Sequence, residues 1–206
     1  MFEHYLQELP LIAILRGVTP EEIEPIGDAL FEAGFRVMEI PLNSPRPLES
    51  IRRLSARLGE RALVGAGTVL DPAQVSEVGE AGGRLIVSPH GDPRVIEATV
   101  EAGLVSSPGV ATPTEGFAAL NAGAHGLKMF PAEQLGPQVV KAWRAVFPPQ
   151  TLLMPVGGVT PDNMQAFVDA GASGFGLGSS LYKAGRSVEE VRTNAERFAD
   201  AWRSLG

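Results

Sequence analysis

The stretch RLIVSPHGDPRVIEATVEAGLVSS, residues 84–107, decides the fold. It opens with a short apolar run, Leu85-Ile86-Val87, that ends in Ser88-Pro89. Asp92-Pro93 follows, an N-cap residue with proline at the first helical position. A helical pattern then runs to Ala102-Gly103, where glycine supplies the left-handed turn that stops a helix. A second apolar run, Leu104-Val105-Ser106-Ser107, comes straight after. Strand, helix, strand in 24 residues is one β-α-β unit, and its strands are parallel.

The same punctuation recurs on both sides. Ala-Gly pairs stand at Ala33-Gly34, Ala81-Gly82, Ala102-Gly103, Ala122-Gly123 and Ala170-Gly171. Gly59 and Pro148-Pro149 fill the remaining gaps as helix stops. Helix starts are written at Thr19-Pro20-Glu21-Glu22 and Asp71-Pro72-Ala73-Gln74, each with a capping-box partner, and in weaker form at Asp92-Pro93 and Thr160-Pro161. Between them lie eight apolar runs: 9–15, 36–42, 62–66, 84–88, 103–107, 126–130, 152–156 and 174–178. They are continuous rather than alternating, as strands buried on both faces are. Eight strand–helix units of about 26 residues predict a single (β/α)8 TIM barrel over residues 1–206, at the short end of that fold. An open doubly wound sheet is the alternative, disfavoured because no Gly-x-Gly-x-x-Gly follows the first run.

Composition removes several function classes. The chain has 44% hydrophobic and 20% charged residues and a net charge of −7, which speaks against a nucleic-acid surface. Cysteine is absent, so disulfides, thiol nucleophiles and thiolate metal sites are excluded. His4, His90 and His125 are scattered without metal-ligand spacing, and His90 and His125 read as structural. The N-terminal segment carries acidic residues and no long apolar run, and nothing approaches the roughly 20 apolar residues of a membrane span. The expectation is a cytoplasmic soluble protein with no membrane or nucleic-acid partner.

In such a barrel the chemistry sits at the C-terminal strand ends. Those ends carry Arg16, Glu39, Thr68, Ser88-Pro89, Pro108, Lys128, Gly157-Gly158 and Gly178-Ser179. Lys128 lies inside an apolar run, where desolvation lowers its pKa and frees the neutral amine needed for a Schiff base. The alternative is a packed stem with its ammonium in solvent. Glu39, also among apolar neighbours, reads as a general acid/base or as one half of an ion pair with Lys128 or Arg16. Arg16 suits a carboxylate or phosphate, or a structural salt bridge. Thr68 suits a carboxylate, or caps the next turn. Gly157-Gly158 and Gly178-Ser179 follow the seventh and eighth runs, the usual phosphate-binding place of the fold.

With these residues assembled, the sequence resembles the KDPG/KHG aldolase family. The segments that carry the likeness are LPLIAILRG (9–17), EIPLNSP (39–45), LVGAGTVL (63–70), LIVSPH (85–90), LKMFPAE (127–133), PVGGVTPDN (155–163) and GLGSSLYKAG (176–185). The resemblance implies a metal-independent class I aldolase, without a cofactor, that forms trimers of (β/α)8 barrels. It implies Lys128 as the Schiff-base lysine and Glu39 as the general acid/base. It implies Arg16 and Thr68 at the carboxylate end, Pro89 in the pocket wall, and Gly157, Gly158, Gly178 and Ser179 around phosphate. Pro41-Leu42-Asn43-Ser44, with Arg16 upstream, is similar to the galactonate branch, whose members cleave 2-dehydro-3-deoxy-6-phosphogalactonate to pyruvate and D-glyceraldehyde 3-phosphate. The gluconate epimer and 4-hydroxy-2-oxoglutarate are the alternative substrates. A phosphosugar isomerase working without an imine, and a phosphometabolite-binding barrel, are the alternatives from other classes.

Overall fold

A computed structural model describes residues 2–205. In chain order its elements are α1 (Phe2–Leu6), β1 (Leu11–Ile14), α2 (Ile23–Glu32), β2 (Val37–Pro41), α3 (Pro47–Leu58), β3 (Leu63–Gly67), α4 (Pro72–Glu80), β4 (Leu85–Val87) and α5 (Pro93–Glu101). There follow β5 (Val105–Ser107), β6 (Gly109–Val110), α6 (Pro113–Asn121), β7 (Leu127–Met129), α7 (Ala132–Arg144), β8 (Leu153–Pro155), α8 (Met164–Asp169), β9 (Phe175–Leu177) and α9 (Val188–Ser204).

Each of the eight apolar runs forms a strand, within one or two residues of its ends. The five Ala-Gly pairs behave alike: the alanine is the C-cap and the glycine has positive φ, from 71° at Gly103 to 109° at Gly34. Asp71 and Gln74 close the expected capping box, and Asp92 accepts from the amide of Arg94. Two starts lie further along than expected. Glu22 binds back to the amide and hydroxyl of Thr19, but α2 begins only at Ile23, after a turn. Asn163 rather than Thr160 caps α8, and its Oδ1 accepts from the Thr160 amide. Thr112/Glu115 and Ser187/Glu190 form two further capping boxes, written in the sequence as Thr-x-x-Glu and Ser-x-x-Glu.

The strands are all parallel. Six pair in the order β5-β4-β3-β2-β1-β9 and three in the order β6-β7-β8. This differs from one unbroken eight-stranded ladder. The fifth run ends at Ser107 as β5, which pairs with β4; past Pro108, which has no N–H, lies the unanticipated two-residue strand β6, which pairs with β7. The carbonyl of Pro108 still accepts from Lys128 N–H at 2.9 Å. Beyond β8, the single parallel bridge Val156↔Gly176 joins the second sheet to β9. Within the six-stranded sheet, β1 to β5 stand in sequential order with β9 beside β1. The reversal expected of the doubly wound alternative is absent there.

Alternate residues of each strand enter two cores. Leu11, Ala13, Met38, Ile40, Val64, Ala66, Leu127 and Met129 join the helices in the larger one. Ile12, Val37, Leu63, Leu85, Val87, Val105 and Met154 form the second, together with Phe2, Tyr5 and Leu6 of α1. Burial on both faces is why the runs read as continuous. Helix α1 therefore closes the N-terminal end of the strands, and Tyr5 hydroxyl anchors it by donating to the carbonyl of Glu60 at 3.0 Å. The polar residues of the strands lie at the other end.

Candidate active site

Register places the ionisable groups. Glu39 of β2 stands beside Ile14 of β1 and Gly65 of β3, and Lys128 of β7 stands between Gly109 and Met154. Both side chains point to the inner face, where they share a void of about 10 Å³ with Ile14, Ser107, Met154 and Val156. Glu39 is 1% and Lys128 7% exposed. The packed-stem alternative, with the ammonium in solvent, does not describe this lysine.

Glycines make the room. A Cβ on Gly67 would overlap the Glu39 carboxylate, and one on Gly176 would press on Val156 at 2.6 Å. Burial pushes the Glu39 carboxyl up to about 7, against the pull of the Lys128 and Arg16 charges. Its Oε2 is buried without a hydrogen-bond partner among the described residues. Burial also holds Lys128 below the usual lysine range; Glu39 opposes this and Arg16 adds to it. Phe130 keeps the amine company, its ring centroid 5.0 Å from Nζ.

Lys128 also lines a second, larger cavity of about 690 Å³ at the strand tips. Eight of the nine anticipated residues meet there: Arg16, Thr68, Pro89, Lys128, Gly157, Gly158, Gly178 and Ser179. Glu39 is the ninth and lies one layer deeper. Arg16 Nη1 donates to Asn43 Oδ1 at 2.5 Å and to Thr68 Oγ1 at 3.4 Å, and Arg16 is in no ion pair among the described residues. Thr68 is held at φ 56°, a left-handed conformation that costs a threonine energy. It does not cap the following helix, which Asp71 does.

Gly157 and Gly158 have φ of 106° and 67°, so larger residues are disfavoured in this loop. On the neighbouring loop, the amides of Leu181 and Tyr182 both donate to the carbonyl of Gly178 at 2.9 Å. That turn leaves the N–H groups of Ser179 and Ser180, its first two, without an acceptor inside it. Lys183 and Arg186 complete this wall. Neither was anticipated, because a basic residue after a glycine loop reads like any surface charge. Tyr182 also lines the cavity; burial pushes its phenol up to about 12, and its hydroxyl has no hydrogen-bond partner among the described residues. His90 lies exposed, while His125 Nδ1 accepts from the amide of Ser106 at 3.2 Å.

A parallel α/β fold whose strand tips gather a desolvated amine, a buried carboxylate and two glycine loops defines the class: the chain is an aldolase, a carbon–carbon lyase. More narrowly, residues 2–194 match the KDPG and KHG aldolase family, and the chain belongs to it. It is 49% identical over 196 residues to the 2-dehydro-3-deoxy-6-phosphogalactonate aldolase of Escherichia coli (strain K12), covering 95% of this chain and 96% of that one. A solved structure of native KDPGal superposes with a TM-score of 0.95 at 48% identity, over 96% of each chain. The KDPG aldolase of Legionella pneumophila, solved with pyruvate captured as a covalent carbinolamine, has a TM-score of 0.83 at 26% identity, over 100% of this chain and 98% of that one.

Proposed function

We propose that this chain cleaves 2-dehydro-3-deoxy-6-phosphogalactonate to pyruvate and D-glyceraldehyde 3-phosphate through an imine on Lys128. The observation that carries the reading is the pairing of a buried lysine and a buried glutamate on one inner face, under a cavity walled by glycine loops. The 49% identity to a relative named for 2-dehydro-3-deoxy-6-phosphogalactonate, against 33% to a KHG/KDPG aldolase, supports this substrate over the gluconate epimer.

The reaction follows from the groups present. Neutral Lys128 Nζ adds to the C2 ketone, and loss of water gives the iminium. Glu39, as carboxylate, takes the C4 hydroxyl proton, directly or through one water. The C3–C4 bond breaks; its electrons pass to the iminium nitrogen as an enamine, and C4 leaves as the aldehyde carbon of D-glyceraldehyde 3-phosphate. Glu39 returns a proton to C3, and water hydrolyses the new iminium to pyruvate and free Lys128. Arg16 and Thr68 hold the carboxylate, Pro89 forms the wall, and Gly157, Gly158, Gly178 and Ser179 hold the phosphate.

The same proposal covers the architecture. Residues 1–206 act as one (β/α)8 domain, a reading supported by the Lys128 N–H bond to the Pro108 carbonyl and by the Val156↔Gly176 bridge between the two sheets. The chain works as a homotrimer in the cytoplasm. Among the described residues, no helix is long and apolar enough to cross a membrane. Borohydride reduction with pyruvate is expected to leave a stable adduct at Lys128, located by peptide mass mapping, and Lys128→Ala to abolish both adduct and turnover. An unmodified lysine, or an active Lys128→Ala enzyme, refutes the reading.

A further inference from the structure

We infer that Asn43 and Ser44 are positioning residues that fix Arg16 over the keto-acid end of the cavity. Two hydrogen bonds carry the inference. Asn43 Oδ1 accepts from Arg16 Nη1 at 2.5 Å, and Ser44 Oγ accepts from the amide of the next residue, Gly17, at 2.9 Å. The loop after β2 thus holds both the side chain and the backbone of the loop after β1. Ser44 is only 7% exposed and is itself fixed by its amide, which donates to Pro41 O at 2.9 Å. Leu42 N–H donates to Gly67 O at 2.8 Å, so the strap is tied into the strand end that also carries Thr68.

The chemistry explains why a strap is needed. Arg16 is exposed, on a long side chain with many rotamers, and no carboxylate among the described residues pairs with it. An unpaired guanidinium keeps its full charge for a ligand, but nothing in such a charge fixes its direction. A neutral amide acceptor does so without neutralising it. Asn43 and Thr68 both take Nη1, which leaves Nε and Nη2 free as the two-pronged face that matches a carboxylate. An aspartate at position 43 would hold the same geometry but cancel the charge.

This inference rests on Arg16 receiving the substrate carboxylate, and the test separates the two ideas. Pyruvate trapping by borohydride and steady-state cleavage are measured for Asn43→Ala, Asn43→Asp, Arg16→Ala and the Arg16→Ala/Asn43→Ala double variant. Asn43→Ala is expected to raise both KM and the half-saturating pyruvate concentration about tenfold, with kcat at saturation changed much less. Asn43→Asp is expected to be at least as impaired, although it is isosteric and preserves the fold. In the Arg16→Ala background the Asn43 substitution should add nothing. Unchanged pyruvate saturation in Asn43→Ala, an Asn43→Asp enzyme as good as wild type, or the same loss with and without Arg16 overturns the inference. If Arg16→Ala alone leaves pyruvate saturation unchanged while Lys128 still traps pyruvate, the carboxylate role of Arg16 fails and the inference falls with it. If Lys128 never traps pyruvate, the imine reading fails as well.

Discussion

Glu39 gives up its water on folding and receives no hydrogen bond at Oε2 from the described residues in return. The charged form suffers most, so its folded pKa lies near 7, above the ordinary value of 4.5. The consequence for stability has a definite sign. Below about pH 4.5 the group is protonated folded or unfolded and contributes nothing to pH dependence. Between 4.5 and 7 the unfolded chain releases the proton while the folded one keeps it, so stability falls as pH rises. The full cost, on the order of 3 kcal/mol, is present above pH 7. Glu39→Gln removes that titration. Urea melts of the two proteins should therefore diverge in favour of the glutamine variant between pH 5 and 8, while its turnover drops by about 10²–10⁴. A stability difference that stays flat across this range would mean the carboxylate is not desolvated. At this scale the sequence was informative, because a lysine and a glutamate inside apolar runs are visible without coordinates. The contact of Asn43 with Arg16, and the places of Lys183 and Arg186, were not, because only the folded loops reveal which polar side chains turn toward the cavity.

The elements were legible wherever backbone chemistry is local. Ala-Gly stops and Asp-Pro starts act over four or five residues, and all five stops and both Asp-Pro starts fall where expected. What escaped reading was pairing. Pro108 looks like one more residue after a serine pair, yet beyond it a second short strand, β6, carries the pairing on to β7. Helix α1 was missed because five residues hold no full amphipathic period. The glycines of β3 show how an element serves the site. Gly65 and Gly67 face inward at the level of Glu39 and Pro41, in a strand whose other residues are Leu63, Val64 and Ala66. A methyl group on Gly67 would occupy the carboxylate's place, and the backbone there needs no positive φ. Gly67→Ala is thus a steric change to Glu39 rather than a backbone one. It should cut kcat about a hundredfold, the cost of misplacing a reacting group by an ångström, and leave pyruvate trapping at Lys128 largely intact. Equal loss of trapping and cleavage would show that β3 supports the whole site and not the acid alone.

Across the whole molecule, charge is arranged against its own total. The chain carries −7, and seven of its fourteen arginines, Arg46, Arg53, Arg57, Arg84, Arg94, Arg192 and Arg203, sit in ion pairs with carboxylates, while Arg36, Arg61 and Arg144 donate to backbone carbonyls. The cavity mouth gathers three cations of its own. Arg16 on one wall and Lys183 and Arg186 on the other are in no such pair among the described residues. Three uncommitted cations around a concave opening focus a positive potential where an acidic surface would otherwise repel an anion. A substrate with a carboxylate at one end and a phosphate at the other would meet both walls. Most of that attraction is long-range and exposed, so added salt should screen it. For the phosphorylated substrate, kcat/KM is expected to fall steadily as ionic strength rises from about 0.02 to about 0.3 M, a span over which the screening length shrinks several-fold. Replacing Lys183 and Arg186 by methionine should lower the low-salt value by about tenfold and flatten the salt dependence. Because pyruvate has no phosphate, its trapping at Lys128 should respond little to the double substitution. If the double variant keeps the wild-type salt slope, or if pyruvate and the phosphorylated substrate suffer equally, these two cations do not act on the phosphate end, and the glycine loops hold it through their backbone amides alone.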